Sequence, residues 1–167
     1  MNRRQMRGVY VVEFAIIGLL LFIVLIGVLE MGRLFFTVNA LNESARRGAR
    51  LASVCDIQDV RILRRAIFNA AEEEGDSSLL TNLQTADLTL TYLNADGGQV
   101  PAPSDFSGAD GFGAIRYVQL RIENFTFDLM IPVVGGAITL PDFRATLPRE
   151  SLGRHAETGV VPEITPC

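Results

Sequence analysis

The chain has 167 residues, enough for one domain plus a membrane segment. Apolar residues make up 49 %, and much of that excess lies between Val9 and Val38, leaving the rest with the composition of an ordinary soluble domain. There are 15 basic residues, all arginine, against 19 acidic ones. That balance argues against nucleic acid as a partner, because affinity there comes mainly from neutralising phosphates.

The first eight residues, Met1 to Gly8, carry Arg3, Arg4 and Arg7. Four uncharged residues follow, then Glu13, then an uncharged run from Phe14 to Leu29. Val9 to Leu29 supplies 21 residues interrupted only by Glu13, and about 20 apolar residues suffice to cross a bilayer. An acidic residue costs roughly 2.5–3.5 kcal/mol at the centre of a membrane helix and less toward its ends. Glu13 therefore requires a reason. A cleaved secretory signal peptide shares the basic start and the apolar core, but its core runs about 7–15 residues to a small-residue cleavage site. Here the core is longer and continues into Leu29-Glu30-Met31-Gly32-Arg33. A plain single-pass anchor fits the length. Neither explains why the carboxylate stands five residues after Gly8. Arginines flank both ends of the run, with Arg33, Arg46, Arg47 and Arg50 beyond it. The charge rule for orientation is thus nearly balanced. Long domains cross largely regardless of charge whereas a short basic tail does not, so the expected arrangement is tail inside and domain outside.

Gly8 followed by Glu13, with an aromatic at Phe14, resembles the leader junction of type IV-like prepilins. The longer stretch Val11-Val12-Glu13-Phe14-Ala15, Leu29-Glu30-Met31-Gly32-Arg33-Leu34 and Ala45-Arg46-Arg47-Gly48-Ala49-Arg50 resembles the TadE-like minor pseudopilins of the tight-adherence, or Flp pilus, system. A weaker likeness to that family's closing strand lies at Phe143–Ser151. The resemblance implies a membrane prepilin peptidase that cuts between Gly8 and Val9, with the leader 1–8 in the cytoplasm and Gly8 letting the enzyme approach the backbone closely. Cleavage would leave an ammonium on Val9 and 12 basic residues in the exported part. Glu13, with Phe14 beside it, would then mark registry by meeting the N-terminal amine of a neighbouring subunit, since paired buried charges are tolerable where single ones are not. The family further implies a paralogous minor pseudopilin, the major Flp pilin and an inner-membrane assembly platform as partners, with lipid around residues 9–33 and residues 34–167 as an extracytoplasmic pilin-like domain. The role implied is assembly or initiation of an adhesive pilus. The alternative is an uncleaved single-pass protein whose outer domain binds a ligand or protein.

From Val9 to about Val54 there is no proline, and one long helix is expected to leave the membrane and enter the domain. Leu34, Val38, Leu41, Ala45, Ala49 and Ala52 form one apolar stripe at spacings of three and four. Arg46, Arg47 and Arg50 fall mostly off it, as a solvated face. Glu30 and Arg33, three apart, read as a surface ion pair at the membrane boundary worth about 0.2–0.5 kcal/mol. Asp56 is positioned to cap a second helix from Ile57 to Glu74, stopped by Gly75.

The period then changes to two. Leu88 to Leu93 alternates as a half-buried strand, and Asn94-Ala95-Asp96-Gly97-Gly98 is a turn. Gln99 to Gly113 is a polar loop, and Ala114 to Phe127 reads as the longest strand, with Val118, Leu120 and Ile122 on one face. Ile131 to Ile138 is an apolar connection too short for a second span, and Phe143 to Leu147 is a last short strand. A long membrane-spanning helix, a second helix and a small antiparallel sheet make an α+β pattern.

Cys55 and Cys167 are the only cysteines. In an exported domain they are expected to pair and tie down the tail; in a cytosolic one they would be two free thiols. Little else in the sequence carries chemistry. His155 has no ligand-spaced neighbour, and Asp96, Asp105 and Asp110 lack calcium-loop spacing. Gly108 to Gly113 lacks the lysine of a phosphate loop. No nucleophile–base pair is visible, so the expectation is a non-enzyme without a cofactor or metal.

Overall fold

The computed structural model describes residues 3–106, 108, 110–130, 135–155, 164 and 167, with side chains from Val9 onward. Helix α1 runs from Arg3 to Val54 without a break. Helix α2 spans Val60–Ala66, and five strands follow: β1 Leu88–Leu93, β2 Tyr117–Ile122, β3 Thr126–Asp128, β4 Ala137–Thr139 and β5 Phe143–Pro148. The fold is α+β, with a long apolar N-terminal helix, a short second helix and small antiparallel sheets.

Strands β1, β2 and β5 form one sheet with β2 in the middle, antiparallel to both neighbours. Leu90 faces Leu120 on one side, and Ala145 faces Leu120 on the other. The alternation of β2 puts Val118, Leu120 and Ile122 in the core and leaves Gln119 and Arg121 on the outer face. Strands β3 and β4 form a separate two-stranded sheet. The chain divides into two compact units: residues 1–36 with 127–138, and residues 37–126 with 139–167. The excursion between β2 and β5 therefore belongs mostly to the unit that holds the apolar half of α1.

In the larger unit the expected stripe of α1 is the packed face. Leu41, Ala45, Ala49 and Ala52 are buried, joined by Ser44 and Gly48. Gly48 is where the helix comes closest to its neighbours. A Cβ there would overlap Leu120 Cδ2 and lie 2.8 Å from Ala66 Cβ. Arg46 pairs with Glu43 on the surface and Arg47 lies over the Phe68 ring, 5.6 Å from its centroid.

The second helix departs from expectation at both ends. Its cap is Asp59, whose carboxylate accepts from Arg61 N at 2.9 Å, and not Asp56. A turn with Gln58 at φ 59° intervenes, and the Gln58 N–H donates to the Tyr92 hydroxyl at 3.0 Å. The helix stops after Ala66 rather than at Glu74 because Phe68 enters the left-handed region at φ 69°. Ser77 Oγ donates to Ile67 O at 2.5 Å and Ser78 Oγ to Phe68 O at 2.9 Å, so side chains take the carbonyls a longer helix would have used. Strand β1 falls where it was expected. The expected strand Ala114–Phe127 is two strands, since Asn124 at φ 57° ends β2 and redirects the chain into β3. The connection Ile131–Ile138 contributes Ala137 and Ile138 to β4, while residues 131–134 lie outside the described residues.

Candidate functional site

No catalytic constellation was expected. Among the described residues no group of three or more His, Cys, Asp or Glu side chains gathers as a metal site. The features that can act are the apolar face of α1 and the devices that fasten α1 to the rest of the chain.

Val9 to Leu29 is helical throughout and exposed along nearly its whole surface. At 1.5 Å per residue it is about 31 Å long, the thickness of a hydrocarbon core. Its most apolar window has a mean hydropathy of 3.0 and no burial inside the chain. This helix is long and apolar enough to cross a membrane. Glu13 and Phe14 lie exposed near its start, Phe14 at 78 %. Among the described residues Glu13 has no hydrogen-bond or ion-pair partner within the chain. Gly8 and Val9 are inside α1, one turn before Glu13.

Glu30 ends the apolar run and behaves differently. It is 6 % exposed, accepts from Arg33 Nη1 with both carboxylate oxygens at 3.0 Å, and accepts from Met130 N at 3.3 Å. Arg33 in turn lies over the Phe127 ring, 5.1 Å from its centroid. The expected surface ion pair thus has a buried carboxylate and an exposed guanidinium, and the carboxylate also receives a backbone N–H from the β3–β4 excursion. Spacing along the helix gives the pair but contains nothing of Met130, a hundred residues away.

The C-terminal end of α1 is capped by a distant segment. Ser53 O accepts from Glu150 N at 3.1 Å and Leu152 N at 3.2 Å, and Val54 O accepts from Gly153 N at 2.7 Å and Ser151 Oγ at 3.1 Å. These are carbonyls that a helix end leaves without an internal partner. Gly153 holds φ 75°, and a Cβ there would stand 2.5 Å from Asp56 N and 2.6 Å from Asp56 Cα. Immediately after the helix, Cys55 is joined to Cys167 by a disulfide with a Cα–Cα distance of 5.3 Å. Cys167 N also reaches Asp59 Oδ2 at 3.5 Å. Arg149 and Arg154 flank this segment, and Arg154 stacks over Phe106 at 3.8 Å. The polar loop before β2 is thereby tied to the same corner. Tyr92 is buried here; burial raises its hydroxyl pKa above 10.0, the Gln58 N–H opposes that rise, and Asp56 adds to it.

A sequence model of the TadE-like protein family matches residues 8–50. Over that segment the chain is similar to TadE-like proteins. The match begins at Gly8 and ends at Arg50, so it takes in Glu13, Glu30, Arg33 and Gly48. No curated protein and no solved structure matches the chain. TadE-like proteins belong with the tight-adherence pilus; the likeness covers residues 8–50, the segment that holds the helix long and apolar enough to cross a membrane. In TadE-like terms, the matched segment is one helix with two halves. The first is apolar and bare; the second is the packed stripe seated at Gly48.

Proposed function

We propose that this TadE-like protein is a minor pseudopilin, cut between Gly8 and Val9 by a prepilin peptidase and required for assembly or initiation of an Flp-type adhesive pilus. The observation that carries the reading is Glu13. It stands on a bare apolar helix, five residues after a glycine, with no partner among the described residues. A carboxylate in that setting is costly alone and tolerable once paired. Cutting after Gly8 creates an ammonium at Val9, and a neighbouring subunit carrying it would supply the missing charge. The triply basic tail stays in the cytoplasm and residues 34–167 lie outside the inner membrane, consistent with the poor translocation of short basic tails. Partners on this reading are the peptidase, a paralogous minor pseudopilin, the major Flp pilin and the inner-membrane assembly platform.

The test is intact mass with N-terminal sequencing of membrane-extracted protein from cells with and without their prepilin peptidase. The expected result is a chain starting at Val9 only where the peptidase is present. A chain starting at Met1 in both strains would overturn the processing step and leave an uncleaved membrane-anchored protein.

A further inference from the structure

We infer that Met130 and Ile138, on the described flanks of the β3–β4 connection, form a second membrane-contacting surface, seated at the boundary between acyl chains and headgroups beside the emerging helix. Four observations carry this. Residues 127–138 form one compact unit with the apolar half of α1. The hairpin backbone is held at the end of the apolar run, where Met130 N donates to Glu30, the residue directly after Leu29. Arg33 closes the same joint by bonding Glu30 and covering Phe127. Beyond the joint the chain is uncharged from Leu129 to Pro141; Leu129 is half-buried and Leu140 buried, but Met130 at 66 % and Ile138 at 43 % are exposed.

A surface of this kind needs something to cover it. Its position names the occupant. A group bonded to the first charged residue after a bilayer-length helix sits at the level where that helix leaves the hydrocarbon, and apolar side chains at that depth partition into the interface. The joint also explains the burial of Glu30: Arg33 and the Met130 N–H satisfy its carboxylate where water is thin. The hairpin would fix the rotation and depth of the helix, a second point of contact that a single helix lacks.

This rests on the reading of Val9–Leu29 as membrane-spanning, and the experiment separates the two. The chain has no tryptophan, so single reporters are unambiguous. Full-length Met130→Trp and Val24→Trp variants are reconstituted in vesicles of phosphatidylcholine and phosphatidylglycerol, with phosphatidylcholine brominated either near the headgroup or deep in the acyl chain. The expected result is that Trp at 130 is quenched several-fold more by the shallow bromines than by the deep ones and is shielded from aqueous acrylamide, while Trp at 24 is quenched by the deep bromines. If Trp at 24 is quenched and Trp at 130 is not, the Met130 surface does not touch lipid and the inference falls alone, whether water or another chain covers it. If neither is quenched, the span and the hairpin contact fall together.

Discussion

Gly48→Ala places a methyl group where α1 meets β2 and α2. Two effects oppose each other. Alanine favours a helix interior over glycine by about 0.8–1.0 kcal/mol. Against this, the new Cβ would overlap Leu120 Cδ2 and sit 2.8 Å from Ala66 Cβ. Both neighbours are fully buried. Leu120 is on the central strand with a partner strand on each side, and Ala66 has no rotamer to change. Adding a methyl to such a site costs about 1–3 kcal/mol. The net expectation is a loss of about 1 kcal/mol for alanine and more than about 3 kcal/mol for Gly48→Leu. Urea unfolding of the full chain in mild detergent, followed by the near-ultraviolet signal of the tyrosines, measures it. Gly32→Ala is the control, the same change on the same helix with nothing within 4 Å. Leu120→Val should make room, so the Gly48→Ala, Leu120→Val pair should lose at least about 0.5 kcal/mol less than the sum of its singles. A Gly48→Ala protein as stable as the parent, with additive behaviour toward Leu120→Val, would refute the close approach.

Gly153→Ala forces a side chain into a left-handed backbone and against Asp56, and should cost about 2–4 kcal/mol in the same assay; an unchanged urea midpoint would remove the cap from the account. Cys55→Ser, Cys167→Ser and reduction of the parent should each lose a similar amount, about 3–5 kcal/mol for a link across 112 residues. Unequal losses among the three would show that the thiols matter otherwise than as a pair. For Tyr92 the sign follows from a folded pKa above the unfolded one. Its contribution is intact below about pH 10, where the free phenol titrates, and is lost as pH rises above that, because the unfolded chain ionises first. With no lysine in the chain, the alkaline decline of stability is largely tyrosine. Tyr92→Phe should cost about 1 kcal/mol at neutral pH through the bond to Gln58 N and flatten that decline; a slope unchanged by the substitution would refute the assignment.

What was legible followed from periodicity. The packed face of α1, the bounds of β1 and the inward face of β2 are written as spacings of three and four or of two, and each spacing needs only its own segment. What was illegible depended on residues far apart in the chain. Ile67, Ala70 and Ala71 continue a helical pattern, yet the helix ends because Ser77 and Ser78 take its carbonyls. Gly48 looks like a tolerated isolated glycine until Leu120 and Ala66 are placed beside it. The capping of Ser53 and Val54 by Glu150 to Gly153 leaves no local mark beyond a glycine and a serine. Glu30 misled most, since its spacing to Arg33 is that of a surface pair while its burial comes from the hairpin.

Two carboxylates bracket the apolar run, and the chain treats them in opposite ways. Glu30 is answered internally by Arg33 and Met130 N; Glu13 is answered by nothing among the described residues of its own subunit. Substituting each should therefore separate folding from association. Glu30→Ala removes the acceptor for Met130 N and strands Arg33, so amide exchange at Met130 should accelerate at least tenfold in the isolated protein, about 1.4 kcal/mol of local opening. Glu13→Leu should leave that exchange rate, membrane extraction and the urea midpoint unchanged, because no hydrogen bond or ion pair among the described residues is lost. On the pseudopilin reading its effect appears only in cells, as loss of piliation with normal protein level. Should Glu13→Leu destabilise the isolated subunit, or leave piliation normal, the carboxylate is not waiting for a neighbour, and the apolar helix is an anchor and nothing more.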